Sequence, residues 1–201
     1  MDAPDKSKHG VSAQMTPEDY IQSVTIGDHP QLNGRIHLDP YDPNWPSRYE
    51  QLAQRVRRVL GDRVLMLEHV GSTSVEGLSA KPILDMVLVV KNSADEESYV
   101  PPLESQGFTL HIREPDWYEH RLLKGTDRKA NLHVFSEGCE EVARMLAFRD
   151  WLRSHREDRD LYEQTKRELA ARTWKYTQHY ADAKSDVVRE ILSRALADSG
   201  A

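Results

Sequence analysis

Two short apolar runs separated by a polar turn constrain the fold of this chain more than any other feature. The first run covers residues 64–67 and the second 83–90, and both are rich in β-branched and large aliphatic residues. Runs of this length and composition are typical of buried strands. Asp85 lies inside the second run, where a carboxylate is costly unless it is paired or binds a metal. We therefore interpret Asp85 as the sharpest functional signal, with a structural ion pair to Lys81 or an arginine as the alternative.

The segment between the two runs has the composition of an anion-binding turn. Gly71 permits a sharp change of backbone direction. Ser72, Thr73 and Ser74 follow it with hydroxyls and backbone N–H groups at the start of a short helix. Because unpaired N–H groups converge in such a turn, it is a suitable place to hold a phosphate. We predict phosphate binding at these four residues.

The same residues carry a family resemblance. The text Glu68-His69-Val70-Gly71-Ser72-Thr73-Ser74-Val75, then Gly77-Leu78, Ala80-Lys81-Pro82 and Asp85, resembles the GrpB family of the nucleotidyltransferase superfamily. The segment YDPNWPSRYE is similar to the opening of that family, and the resemblance covers residues 36–196. It implies an α/β (α+β) fold, with a nucleotidyltransferase-like, mostly antiparallel mixed sheet. Flanking helices on one side and a C-terminal helical cap complete the expected architecture.

The length of 201 residues suits one domain with an extension. We assign residues 1–33 to a partly flexible N-terminal extension and 34–198 to the family domain, helical from about residue 140. Thr16 and Pro17 favour a short helix over 17–24, with a poorly ordered arm as the alternative.

Hydrophobic periodicity and turn residues predict the other elements. A loop with a short helix is expected over 93–105. The predicted strands cover 36–38, 108–112, 119–123 and 130–135, and the predicted helices 48–60, 140–154, 158–172 and 181–197. Tyr41 and Trp45 are expected to pack under the first of these helices, with a pocket for a ring as the alternative.

Composition restricts the class of partner. The net charge of −6 does not favour nonspecific binding to nucleic acid. No apolar run has the length of a membrane span, and the N-terminus lacks an apolar signal core, so we expect a cytoplasmic protein without a membrane partner. Cys139, the single cysteine, excludes an internal disulfide and has no adjacent base to make it a nucleophile.

The resemblance implies nucleotidyl transfer, which needs acidic residues that hold divalent ions. The superfamily pattern places two acids two residues apart, but here the second position is Val87. We therefore propose Glu68, Glu119 and His133 as magnesium ligands beside Asp85, with His133 the poorer ligand for this ion.

Two hypotheses follow. The first is a nucleotidyltransferase-like enzyme that binds a nucleoside triphosphate with magnesium and transfers a nucleotidyl group to an unidentified acceptor. The second is a non-catalytic module that binds a nucleotide or another anion at a degenerate site. Asp85 favours the first hypothesis, and Val87 favours the second.

Other candidate residues are charged or titratable. Asp85, Glu68 and His69 are the proposed catalytic residues, and His120 is a further candidate for proton transfer; a structural role for both histidines is the alternative. The proposed phosphate ligands outside the turn are basic: Lys81, Arg121, Arg149, Arg153, Lys166 and Lys184. The alternative is that the basic residues of the helical region pair with acids: Asp150, Glu163 and Asp186.

Overall fold

The computed structural model describes residues 16–27, 31–125, 127 and 129–198. Predictions on residues 1–15, on 28–30 and on part of the turn after residue 125 lie outside them. The helices of the described chain are α1 (Pro17–Val24), α2 (Trp45–Leu60), α3 (Val100–Glu104), α4 (Glu140–Ser154), α5 (Arg156–Ala170), α6 (Thr177–Asp182) and α7 (Ser185–Asp198). The strands are β1 (Met66–Val70), β2 (Leu84–Val90), β3 (Phe108–Glu114), β4 (His120–Gly125) and β5 (Ala130–Ser136).

The five strands form one mixed sheet in the order β1-β2-β5-β4-β3. The central pair β2 and β5 is parallel, and the three other pairs are antiparallel. The mostly antiparallel mixed sheet and the helical region after it confirm the predicted α+β fold class with a C-terminal helical cap. The predicted strand over 36–38 is wrong, because this segment makes only isolated bridges on either side, at Gly34 and Asp39.

Helices cover both faces of the sheet, not one as we predicted. Along β2, Met86 and Leu88 belong to a core cluster with α2 and α3, whereas Val87 and Val89 belong to a cluster with Val142 of α4. This division follows from the strand geometry, because successive side chains point to opposite faces. We call the two sides the α2 face and the α4 face. Asp85, two residues before Val87, lies on the α4 face.

The C-terminal helices pack on the segment that follows β1. Val75 and Leu78 of this segment are buried with residues of three helices, among them Phe148 of α4, Tyr162 of α5 and Ile191 of α7. The predicted helix over 181–197 is divided into α6 and α7. The helical cap therefore holds the turn after β1 in place.

The N-terminal segment docks on the edge strand β3. Helix α1 begins at the predicted cap, where Thr16 and Asp19 form a capping box, and Ile21 is buried. Thr25 makes an antiparallel bridge to Ile112. None of the helices in the described ranges is long and apolar enough to cross a membrane.

Candidate functional site

The site is organised by the turn at the end of β1. Gly71 has a φ of 70°, which favours glycine, and it leads into the 3-10 turn Ser72–Ser74. The backbone N–H and the hydroxyl of Ser74 both donate to the Gly71 carbonyl, at 3.1 and 2.6 Å. A Cβ atom at Gly71 would lie 2.6 Å from Oδ2 of Asp85. The turn and the Asp85 carboxylate are therefore in direct contact, and only glycine fits between them.

Asp85 is held by polar neighbours on β5. Its Oδ1 accepts a hydrogen bond from the Asn131 amide at 2.9 Å, and Nε2 of His133 lies 3.9 Å away. The residue is 7% exposed. Asn131 pairs in register with both Asp85 and Lys124, so the three residues form one polar row across β2, β5 and β4. The row ends at the turn after β1.

Three lysines lie around the turn and the polar row. The Lys166 ammonium is 3.3 Å from the Ser72 hydroxyl and donates to the Ser79 carbonyl. Lys184 is also buried. Burial and, after it, the charge of Lys184 lower the pKa of Lys81 to about 8, whereas Asp85 opposes the shift. The structure thus brings these lysines, all proposed phosphate ligands, to one side of the turn.

Arg153 of α4 contacts the same turn and Arg149 contacts the strand before it, but both are bound to protein groups. Arg149 donates to Glu68 at 2.8 Å and to the His69 carbonyl at 3.0 Å. Arg153 donates to the Ser74 carbonyl at 2.9 and 3.1 Å. Both also pair with Asp150, and Lys166 pairs with Glu163 at 3.2 Å. The ion pairs with Asp150 and Glu163 agree with the alternative that these basic residues pair with acids. The other contacts hold β1 and its turn against the helices.

Two predicted site residues lie away from Asp85. Arg121 lies on the α2 face, where its Nε is 2.6 Å from Glu96, because the alternation along β4 puts it on the side opposite to Leu122. Glu119 is exposed in the turn before β4, with a φ of 49°. Neither is brought together with the phosphate turn.

His69 and Glu68 are separated by the sheet. His69 points to the α2 face, where it stacks on Tyr49 at 4.8 Å and bonds to the Thr73 hydroxyl at 2.9 Å. Burial lowers its pKa to about 4. Glu68 shares the α4 face with Asp85, but its carboxylate is held by Arg149. The three proposed catalytic residues do not converge on one point.

The residues present do not fit the proposed magnesium site. Within the described ranges, there is no group of three or more His, Cys, Asp or Glu residues that could hold a metal ion. The second acidic position of the superfamily is Val87, which is fully buried with Val89 and Phe135 under α4. Asp85 therefore stands without a second carboxylate of the predicted set.

A line of buried polar side chains on the α4 face was not predicted from the sequence. Glu114 bonds to His120, and His120 bonds to His133 next to Asp85. The signal that predicts its members on β5 is period-two alternation, since Asn131 and His133 alternate with apolar residues. The pairing of β4 with β5 that joins the two histidines is visible only in the fold.

Known proteins share this arrangement of the chain. The family model for the GrpB protein matches residues 35–194. A UPF0157 protein of Halalkalibacterium halodurans is 55% identical over 186 residues, which cover 92% of this chain and 95% of the relative. A UPF0157 protein of Streptomyces coelicolor is 43% identical, over 80% of this chain and 84% of the relative. The crystal structure of the conserved protein GrpB from Enterococcus faecalis matches with a TM-score of 0.70 and 28% identity, over 82% of this chain and 100% of that chain.

Proposed function

The chain belongs to the GrpB family, and we propose that it binds a phosphorylated small molecule, with a nucleoside triphosphate as the first choice, at Gly71 and Ser72. One observation carries this proposal: Lys166 reaches the Ser72 hydroxyl. Lys81, close enough to Asp85 to be affected by its charge, is a half-buried lysine whose pKa is lowered to about 8 by burial and by Lys184. Cations crowded in this way favour a site for an anion, because their mutual repulsion falls when the anion binds.

Lysines and carboxylates act together at this site. Besides burial, Lys184 and Lys124 both lower the pKa of Lys81, whereas Asp85 opposes the shift, and Lys166 pairs with Glu163 at 3.2 Å. The first N–H groups of the 3-10 turn after Gly71 have no partner within the turn and add donors for an anion.

Calorimetric titration with ATP, CTP, GTP, UTP and inorganic tripolyphosphate tests this proposal, with magnesium and again with EDTA. We expect Lys81→Met to weaken binding by about tenfold or more, since a hydrogen bond to a charged group contributes about 1.5–3 kcal/mol. Lys91→Met is the matched control, because Lys91 is 84% exposed and pairs with Glu137 at the far end of β2. Equal affinities of the two variants, or no binding by the wild type, would reject the site.

Nucleotidyl transfer to an unidentified acceptor is the second candidate function. The observation that favours it is the contact of Asp85 with the glycine of the turn, the position at which the superfamily carries its first acid. The test is pyrophosphate release in the presence of magnesium. We expect Asp85→Asn to abolish release and Cys139→Ser to leave it unchanged, because burial raises the pKa of the Cys139 thiol.

A further inference from the structure

A line of polar side chains runs along the α4 face from α1 to Asp85, part-buried at Tyr20 and buried from Glu114 onward. The Tyr20 hydroxyl donates to Oε1 of Glu114 at 2.5 Å, and Oε2 of Glu114 lies 2.7 Å from Nδ1 of His120. Nε2 of His120 lies 2.9 Å from Nδ1 of His133. Nε2 of His133 then faces Oδ1 of Asp85 at 3.9 Å. The line crosses β3, β4, β5 and β2 in turn.

The direction of each hydrogen bond along this line follows from Glu114, the acid next to α1. An ionised carboxylate only accepts, so Glu114 requires a proton on Nδ1 of His120. Nε2 of a neutral His120 is then an acceptor, and the proton between the rings belongs to Nδ1 of His133. Nε2 of His133 is left with a lone pair toward Asp85, and it has no hydrogen-bond partner among the described residues. The separation of 3.9 Å is too long for a hydrogen bond.

We propose that Glu114, His120 and His133, completed by Tyr20 from α1, form a proton relay that ends at Asp85. The two histidines have three places for protons: Nδ1 of His120, the position between the rings, and Nε2 of His133. Each neutral imidazole ring carries one N–H proton, so two of these three places are occupied. The protons therefore sit toward Glu114 in one arrangement and toward Asp85 in the other.

A transfer along the relay is balanced. Asp85 takes a proton from a hydroxyl group of a ligand bound at the turn and passes it to Nε2 of His133, and the proton between the rings moves from His133 to Nε2 of His120. The Nδ1 proton of His120 then passes to Glu114. One proton enters and one leaves, both rings stay neutral, and each changes tautomer. The reverse sequence returns a proton to Asp85.

The surroundings of the line favour transfer within it over exchange with water. His120 lies between Trp117 and Phe135, whose ring centroids are 5.2 and 4.8 Å away. Burial lowers the pKa of His133 to about 4, which keeps that ring neutral at pH 7. Tyr20 lies outside residues 35–194, the part matched by the family model. The relay thus makes the N-terminal helix a part of the site, whichever phosphorylated ligand the site binds.

Long-range ¹H–¹⁵N spectra of the full chain, labelled at histidine, test the relay directly. In the wild type we expect protons on Nδ1 of His120 and Nδ1 of His133. Glu114→Met removes the acceptor at one end while keeping similar bulk, so Asp85 becomes the stronger acceptor. We expect both rings of this variant to change to the Nε2–H tautomer. A wild type with its proton on Nε2 of His133, or a Glu114→Met spectrum with unchanged tautomers, would overturn the proposal.

Two conservative variants keep the test decisive if Glu114→Met does not fold. Tyr20→Phe removes one donor from Glu114, which strengthens its bond to His120, so the Nδ1 proton of His120 should shift downfield without a change of tautomer. Tyr49→Phe is the control, because it removes a part-buried hydroxyl on the α2 face that donates to the Leu67 carbonyl at 2.9 Å. Equal shifts of the His120 proton in the two variants would separate α1 from the relay.

Discussion

The two faces of the sheet are built from alternate residues of the same strands, yet they differ in what they bury. On the α2 face, β2 and β5 contribute an apolar set that includes Met86, Leu88 and Leu132. On the α4 face, the same two strands contribute Asp85 and His133 beside apolar neighbours. Along these two strands, the α2 face is apolar and the α4 face adds ionisable side chains to its apolar packing. The buried polar residues of the α2 face, His69 and Arg121, come from β1 and β4.

The two kinds of side chain contribute differently to stability. Apolar packing stabilises the fold by about 0.8 kcal/mol for each buried methylene, whereas a buried carboxylate such as Asp85 is costly unless it is paired and hydrogen-bonded. Four substitutions test this division.

Val87→Asp restores the second acid of the superfamily pattern and should have the largest effect. Val87 is packed among Val70, Val89 and Phe135, so the new carboxylate would have no partner there. We expect a loss of about 3–5 kcal/mol in the free energy of unfolding, as for an uncompensated buried charge. Urea denaturation measures this loss, with the isosteric Val87→Thr as the control for the polar change without the charge.

A contrary result for Val87→Asp would be informative. If the variant keeps the wild-type stability and gains magnesium binding, then the α4 face accommodates a second carboxylate beside Asp85, and the expected cost of burying that charge is wrong.

Gly71→Ala is expected to disturb the site through direct overlap with Asp85. Its Cβ would lie 2.6 Å from Oδ2, in addition to the cost of a positive φ. Gly77→Ala carries that backbone cost alone, because Gly77 has a φ of +85° and no atom within 4 Å of the added Cβ. We expect Gly71→Ala to be about 1–3 kcal/mol less stable than Gly77→Ala, the typical cost of overpacking. Thermal unfolding compares the two, and equal losses would show that the turn does not press on Asp85.

Much of the fold could be predicted because it follows from local pattern. The apolar runs at 64–67 and 83–90 became β1 and β2, and the capping residue Thr16 does begin a helix. The strand predicted over 36–38 failed for a nonlocal reason, since this segment packs against Ala170 and Trp174 instead of joining the sheet.

The site was harder to predict, because the face of the sheet to which a side chain points depends on its position along the strand and not on its residue type. Arg121 is the residue type that binds phosphate, but one step along β4 decides whether it faces Asp85 or Glu96. The relay was missed for a related reason. Its parts come from α1, β3, β4 and β5, and sequence spacing does not show that Tyr20 meets Glu114.

Acid should destabilise both faces, since each has one histidine with a lowered pKa: His69 on the α2 face and His133 on the α4 face. A pKa of about 4 in the fold, below the ordinary value of about 6.5, means that the unfolded chain binds protons first. Stability is then full above pH 6.5 and falls toward pH 4. Between pH 7 and pH 5, we expect the free energy of unfolding to fall by about 1–2 kcal/mol less in His69→Gln than in the wild type. Parallel urea curves of the two proteins at both pH values measure this, and an unchanged pH dependence would mean that His69 is not the titrating group.

Arg121→Gln should have the smallest effect on ligand binding, namely none, although arginine is the residue type best suited to phosphate. Arg121 is buried on the α2 face, where it donates to Glu96 and to the Glu119 carbonyl. Arg113 also binds Glu96. Arg113 and Arg121 together lower the pKa of the Glu96 carboxyl to about 2. The loss of Arg121 therefore leaves Glu96 with a partner, and the cost should appear in stability alone. Titration of both variants with tripolyphosphate checks this, because Lys81→Met should weaken binding and Arg121→Gln should not. If Arg121→Gln weakens binding as much as Lys81→Met does, then the ligand reaches both faces of the sheet, and the assignment of chemistry to the α4 face is wrong.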